Sequence, residues 1–331
     1  MSGPLVLITD APWGSTHVEE AALSEVRARV VLAGSGGAEE ALLELAPQAD
    51  AILTCFAQVT AAVVAAAPRL QVVGRYGVGT DNIAVAEATR RDIPVTNVPV
   101  YCVEEVAEHV LGMLLSLVRG LHRYDRAVRE GDWSLAPGLP TRRVAGQTLG
   151  VIGFGAIGQH VARLAQGIGM SVIASGRDDG PISRAGVEPV GIEELARRSD
   201  AVTLHVPLTE ETRGLVDARF LSLMRPSAYL VNCARGAIVD HDALAQALAD
   251  GAIAGAAMDV FEPERLPRDH PLLRSDRLLA TPHTAYYSEE SMTTLARLAA
   301  ENVAAVLAGR RPAALVNPDV LTRPRWAHLQ A

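Results

Sequence analysis

Gly153, Gly155 and Gly158 in VIGFGAIG stand at GxGxxG spacing, the pattern in this chain that most directly implies chemistry. The first glycine permits a tight turn after a strand. The second lets a dinucleotide pyrophosphate approach the backbone, and the third lets helix and strand pack closely. Phe154, Ala156 and Ile157 fill the intervening positions, where a helix start offers unpaired N–H groups and a positive dipole end to phosphates. Downstream, SVIASGR at 171–177 lies where the next strand should end on an acidic residue that holds the adenosine ribose. It ends instead on Ser175, Gly176 and Arg177. An aspartate at Gly176 would accept from the ribose hydroxyls of NAD and repel a 2′-phosphate. Glycine leaves room, and Ser175 and Arg177 can donate to a phosphate. These residues predict a nicotinamide cofactor, with NADP(H) preferred over NAD(H). Asp178 and Asp179 weigh the other way, because either reaches the ribose if the loop shifts.

The elements needed to hold such a site are present. Thr148 to Ile152 reads as a buried parallel strand. Ile157, Val161, Leu164, Ala165 and Ile168 form one apolar helical stripe closed by Gly169, and Ser171 to Ala174 is the next strand. Residues 4–99 alternate strands with helical segments, the strands being roughly Leu5–Thr9, Val30–Ala33, Ala51–Thr54, Val72–Gly74 and Val95–Val98. One long helix is expected from Val103 to Val128, crossing between domains or facing a partner subunit. A second alternation runs over 148–284, with later strands Ala201–Val206, Tyr229–Cys233, Gly255–Val260 and Leu278–Pro282. A last helix from Glu289 to Leu307, with Ser288 as N-cap, returns to the first domain, as does the VNP at 316–318. Hinges are placed near residues 100 and 286, with a small-substrate cleft between the domains.

In open parallel sheets, ligands bind beyond the carboxyl ends of the strands. The strand ends here deliver His205 and Pro207, then Arg235, then Asp259 followed by Glu262 and Glu264, and finally His283. Several charged or titratable groups on one edge are not explained by solubility.

Composition fits an enzyme of two domains: 331 residues, half of them hydrophobic, with no apolar run near the roughly 20 residues that span a bilayer. The start, MSGPLVLITDAPW, reads as a first strand and not a signal peptide. Cys55, Cys102 and Cys233 are scattered and odd in number, which argues against a disulfide framework or a metal site and for a reducing, cytoplasmic compartment. A net charge of −8 gives no reason to expect nucleic acid. No membrane partner is expected, and no regulatory domain of recognisable length follows residue 310.

The chain resembles the D-isomer-specific 2-hydroxyacid dehydrogenase family over nearly its whole length. The resemblance rests on RYGVGTDNI (75–83), TNVPVYCVEEVAEH (96–109), the dinucleotide turn, HVPLTEET (205–212), VNCARGAIVD, MDVFEPE (258–264) and TPHTAYYSEES (281–291). RYGVGTDNI and TAYYSEES resemble the branch of the C-terminal-binding proteins and their bacterial dehydrogenase relatives. The resemblance implies an α/β architecture of two doubly wound parallel-sheet domains: a flavodoxin-like substrate domain, 1–100 completed by 287–331, and a Rossmann coenzyme domain, 101–286. It implies reduction of a small 2-keto acid to the D-2-hydroxy acid by hydride from NAD(P)H. His283 would be the general acid, and Glu264 would bond its other ring nitrogen, fixing the tautomer and favouring the charged acid form. Arg235 would bind the substrate carboxylate and polarise its carbonyl. Backbone N–H groups near Val78 and Gly79 would hold the same carboxylate. Arg75 either adds a charge there or makes a domain-bridging salt bridge. His205, Pro207, Thr212, Cys233, Ala234 and Asp259 fall on the cofactor side, Asp259 orienting the nicotinamide. Tyr286 and Tyr287 would line the pocket, and Arg75 with Tyr76 would admit an acidic or phosphorylated substrate. His109 reads as decorating a helix, and the long 103–128 helix as contributing to a symmetric homodimer.

One departure concerns the acid–base pair: Arg265 stands where the family usually has proline after the glutamate, so the loop carrying Glu264 can be set differently. Two alternative functions stay open on the sequence. One is a dinucleotide-sensing, corepressor-like binding protein. The other is phosphite-type oxidation on the same scaffold; formate oxidation is disfavoured, because formate enzymes of the family pair the histidine with glutamine.

Overall fold

A computed structural model describes residues 3–138, 140–326 and 328. Residues 1–2 and 329–331, the outermost parts of the expected substrate domain, lie outside the described residues. The chain divides into two units, residues 1–101 with 288–331, and residues 102–287.

The first unit is a five-stranded parallel sheet in the order β2-β1-β3-β4-β5. Its elements are β1 (Leu5–Ile8), α1 (His17–Leu23), β2 (Arg29–Leu32), α2 (Glu39–Leu45), β3 (Ala51–Thr54), α3 (Ala61–Ala65), β4 (Val72–Arg75), α4 (Val85–Arg90) and β5 (Val95–Thr96). Successive side chains of a strand face opposite ways, so each strand feeds two cores. Val6, Ile8 and Leu53 pack with Leu295, Ala299 and Val303 of α12 (Glu289–Leu307), while Leu5, Leu7 and Ile52 pack with Leu42, Val63 and Val64 on the other face. Ser288 caps α12 in a reciprocal box with Ser291. The VNP segment joins this unit: Val316 N–H donates to the Val95 carbonyl (2.8 Å), and the Asn317 side chain accepts from Val95 N–H (2.8 Å).

The second unit is a seven-stranded parallel sheet in the order β12-β11-β10-β9-β6-β7-β8. It begins with α5 (Val103–Val118) and α6 (Leu121–Arg129). The sheet elements follow as β6 (Thr148–Ile152), α7 (Ala156–Gly167), β7 (Ser171–Ser175), α8 (Asp179–Arg184), β8 (Glu188–Pro189), α9 (Ile192–Arg198) and β9 (Ala201–Leu204). They continue with α10 (Ala218–Leu223), β10 (Tyr229–Asn232), α11 (His241–Asp250), β11 (Gly255–Met258) and β12 (Leu278–Ala280). Strand order reverses between β6 and β9, the topological switch point where an open α/β sheet binds its ligand. These are the two doubly wound parallel sheets expected, flavodoxin-like and Rossmann-like.

The single helix expected over 103–128 is instead two. Gly120, at φ 64°, takes the left-handed conformation between α5 and α6, which a glycine adopts without steric cost. α5 packs on α7 and on β10 and β11 of its own unit.

Candidate active site

The dinucleotide turn joins β6 to α7, and each glycine has a distinct geometric reason to be there. Gly153 has φ +93°, and a Cβ on it would lie 2.6 Å from the His205 carbonyl group. A Cβ on Gly158 would lie 2.2 Å from the Gly153 oxygen, so a side chain there would push helix from strand. A Cβ on Gly155 would meet nothing within 4 Å: this glycine faces open space. Gly155 is also the N-cap of α7 and brings no side chain to satisfy the first N–H groups. Exposed Gly155 and Ala156 and half-buried Ile157 thus form an uncapped, open cradle, while Phe154 is packed inward with its carbonyl held by Gln159 (3.1 Å). Such a cradle fits a pyrophosphate.

At the end of β7, Ser175 is half-buried and Gly176 and Arg177 are exposed. The Ser175 carbonyl accepts from Gly153 N–H (2.8 Å), tying this strand end to the turn. A Cβ on Gly176 would meet its nearest neighbour, Ile182 Cδ1, at 3.4 Å, so the backbone does not demand glycine there. Asp178 is engaged as the N-cap of α8, accepting from Gly180 N–H at 2.9 Å.

Beyond β9, His205 Nε2 lies 3.0 Å from Thr203 Oγ1, and burial lowers the ring from its ordinary 6.5 to about 4. Thr212 Oγ1 donates to the Pro207 carbonyl (2.6 Å) and closes the following loop. Beyond β10, the Asn232 side chain spans the next turn: Nδ2 donates to the Arg235 carbonyl (2.9 Å) and Oδ1 accepts from Ala234 N–H (3.0 Å). Arg235 Nη1 donates to the Ala234 carbonyl (2.8 Å). Cys233 packs with Met113, and burial, then the charge of Asp259, push its thiol well above the ordinary range, making it a poor nucleophile.

His283 and Glu264 meet: Nδ1 and Oε1 are hydrogen-bonded, so the Arg265 departure leaves the pair intact. A carboxylate only accepts, so Nδ1 carries the proton of this bond. His283 has φ 55°, a left-handed conformation that costs a non-glycine residue about 1–3 kcal/mol. Asp259 holds it there. His283 N–H donates to the Asp259 carbonyl (2.7 Å), while the Asp259 carboxylate accepts from Thr284 N–H (2.9 Å), Ala285 N–H (2.9 Å) and Thr281 Oγ1. The Asp259 side chain is fully enclosed. These bonds position the His283 segment. The Tyr286 ring stands edge-on to His283, centroids 6.0 Å apart.

His109, read from the sequence as helix decoration, belongs to this cluster: its Nε2 is 3.1 Å from Thr281 Oγ1 and 3.7 Å from Asp259 Oδ1. No local pattern announces a contact made across 172 residues.

In the first unit, Arg75, Val78 and Gly79 follow β4. Arg75 folds back to donate to the Tyr76 carbonyl, and among the described residues it has no ion pair; its Nε is enclosed without a partner. Val78 is exposed. Tyr76, expected to admit an acidic substrate, points into the core instead. Its hydroxyl donates to buried Glu19 (3.0 Å), and its ring packs edge-on against Trp13. Among the described residues no cluster of His, Cys, Asp and Glu is arranged to hold a metal ion, and no helix is long and apolar enough to cross a membrane.

Comparison with known proteins agrees with this geometry. Residues 111–285 match the family described as D-isomer specific 2-hydroxyacid dehydrogenase, NAD binding domain. A glyoxylate reductase of Korarchaeum cryptofilum is 42% identical over 289 residues, 86% of this chain and 87% of that protein. The crystal structure of an NADPH-dependent glyoxylate/hydroxypyruvate reductase from Sinorhizobium meliloti, in complex with NADP and malonate, superposes with a TM-score of 0.82 at 29% identity, covering 95% of this chain and 97% of that one. A D-lactate dehydrogenase from Aquifex aeolicus, complexed with NAD and lactic acid, gives 0.83 at 29% identity over 92% of this chain and 96% of that one. The chain belongs to the D-isomer specific 2-hydroxyacid dehydrogenase family.

Proposed function

We propose that the protein is a glyoxylate- or hydroxypyruvate-sized 2-keto acid reductase that prefers NADPH. That it is an NAD(P)-dependent oxidoreductase reducing 2-keto acids to D-2-hydroxy acids follows from its family and fold. The observation that carries the reading is the His283–Glu264 pair, held beyond β12 on the same sheet edge as the open dinucleotide cradle.

The nicotinamide, when bound, supplies a hydride. Gly153 to Gly158 hold its pyrophosphate, and Ser175, Gly176 and Arg177 receive the adenosine ribose. His205, Pro207, Thr212, Cys233 and Ala234 line the remaining cofactor side, and Asp259 acts there through the His283 segment. Arg235 pairs with the substrate carboxylate. In the first unit, the Val78 and Gly79 N–H groups and Arg75, whose Nε lacks a partner, are substrate-binding groups by the same reading. His283, as the imidazolium, gives its Nε2 proton to the carbonyl oxygen and is left neutral with Nδ1–H on Glu264, whose carboxylate stabilises the cation beforehand. Tyr286, edge-on to the acid, gives the pocket an aromatic wall suited to a short substrate tail. Glyoxylate reductases among the relatives support the small substrate.

NADPH preference rests on the absent ribose acid and on the engagement of Asp178 as a helix cap. Since a Cβ at Gly176 has room, Gly176→Asp tests it directly. The ratio of kcat/KM for NADPH to that for NADH should fall at least about tenfold, equivalent to about 1.4 kcal/mol. An unchanged ratio would remove the preference.

RYGVGTDNI and TAYYSEES support placing the chain beside the C-terminal-binding-protein-like bacterial dehydrogenases. A symmetric homodimer is supported by exposed Leu121, Val128, Trp133 and Leu135, with a two-chain mass by light scattering as the expected result. The decisive assay follows absorbance at 340 nm with NADPH and NADH against glyoxylate, hydroxypyruvate, phenylpyruvate and a phosphonylated pyruvate. Turnover confined to bulky or phosphonylated acids would overturn the substrate reading.

A further inference from the structure

The carboxyl edge of the second unit's sheet carries the site above; the amino edge carries a cavity of about 410 Å³. Five neighbouring strands build its floor. Gln147 precedes β6, Asp200 precedes β9, Tyr229 opens β10, Ala254 precedes β11 and Arg277 precedes β12. Arg123 of α6 and Arg142, from the segment leading to β6, line it as well.

Its charge is unbalanced. Three guanidiniums line it, against one carboxylate that is already committed: Asp200 Oδ2 accepts from Thr148 N–H (2.9 Å), and Oδ1 from Arg225 (2.8 Å). Arg123 Nε is enclosed with no hydrogen-bond partner. Arg142 has no hydrogen bond or ion pair among the described residues, and Arg277 reaches only the Ile253 carbonyl, at 3.4 Å. Other surface arginines, such as Arg198 with Glu188 and Glu194 and Arg297 with Glu301, are held by acids. In a chain of net charge −8, three arginines on one concavity against a single, already engaged carboxylate leave it a local excess of positive charge. Tyr229 lines the same cavity: burial pushes its phenol up, and the charges of Arg123 and Arg142 act against that rise.

We propose that this cavity is a second anion site that takes a small organic phosphate, separate from the dinucleotide and substrate positions. Guanidinium forks match phosphate oxygens in pairs, and three guanidinium-bearing side chains line this one cavity. The volume lies within the roughly 300–1,000 Å³ typical of small-molecule sites and is too large for a bare ion. Pro140, Pro226 and the Tyr229 ring provide a wall for the carbon skeleton. Leu121 and Val128, offered above as dimer contacts, stand about two residues out of phase with Arg123 around α6, hence on its other side at about 3.6 residues per turn.

The test is calorimetric titration of the full-length protein, saturated with nicotinamide dinucleotide, using inorganic pyrophosphate as the probe. One binding event is expected, weakened at least tenfold in the Arg142→Ala/Arg277→Ala double variant and retained in Arg235→Ala. Both replaced side chains of the double variant are exposed, and its thermal midpoint and basal turnover should match those of the parent. Absence of binding, binding that survives the double substitution, or binding lost in Arg235→Ala would each overturn the proposal. Because the readout needs no turnover, it stands or falls apart from the reductase reading.

Discussion

The segments after β12 and after β9 each carry a histidine beyond the carboxyl edge of the same seven-stranded sheet. After β12, His283 is partly exposed, sits at φ 55°, and has Nδ1 occupied by a carboxylate. After β9, His205 rests on a threonine hydroxyl with no carboxylate, and burial lowers it to about 4. One ring is tied to a carboxylate; the other stays neutral near neutrality. The same residue type on the same edge thus meets two different settings, and what separates them is the partner the surrounding chain supplies.

Removing the acid tests that contrast most severely. His283→Ala should lower kcat for keto-acid reduction by about 10²–10⁴-fold, the range of general acid–base catalysis, with the dinucleotide Kd unchanged. Equal losses in kcat and in dinucleotide binding would mean that the ring is holding the cofactor.

The next effect acts through positioning. Asp259 accepts from two backbone N–H groups with two different oxygens. In Asp259→Asn one acceptor becomes a donor, and leaving one buried N–H unsatisfied costs about 1–3 kcal/mol. The strained His283 backbone would then relax, and a displacement of about 1 Å of a catalytic group costs about 10²-fold. We expect kcat to fall by about that factor while the dinucleotide Kd stays within about twofold. A raised Kd with kcat preserved would instead assign Asp259 to direct cofactor contact.

Much of this arrangement is legible in the chain, and the illegible parts share a cause. Strands such as Ala51–Thr54 and Ala201–Leu204, buried on both faces, announce themselves as apolar runs. The expected strands overrun at Val206, Cys233, Val260 and Pro282, because extended backbone continues past the ladder into the loops that bear the site. β8, two residues ending on a proline at the sheet edge, carries no apolar signal. Gly120 splits a helix whose composition reads as continuous, since a lone glycine in an apolar helical pattern is tolerable until its φ is known. Site residue types were readable from their places after strands. What no spacing shows is how Asp259, Thr281 and His109 lock together, or that Tyr76 turns inward to Glu19, since those contacts join distant parts of the chain.

The mildest prediction separates the two histidines by pH. His205 should not titrate in the working range, so His205→Gln, which can still bond Thr203, should leave every inflection of kcat/KM between about pH 5 and 9 where it was. Stability should respond instead. Between the folded value of about 4 and the unfolded 6.5, the unfolded chain binds more protons at this position than the folded one. Stability from this group therefore rises with pH across that window, is fully present above it, and is lost as pH falls through it. Urea midpoints at about pH 4.5 and 7.5 read the difference: the parent should lose more on acidification than His205→Gln, the remaining common loss belonging to other groups. Equal losses in both proteins would show that His205 is not held neutral by its burial, and the contrast with His283 would then rest on geometry alone.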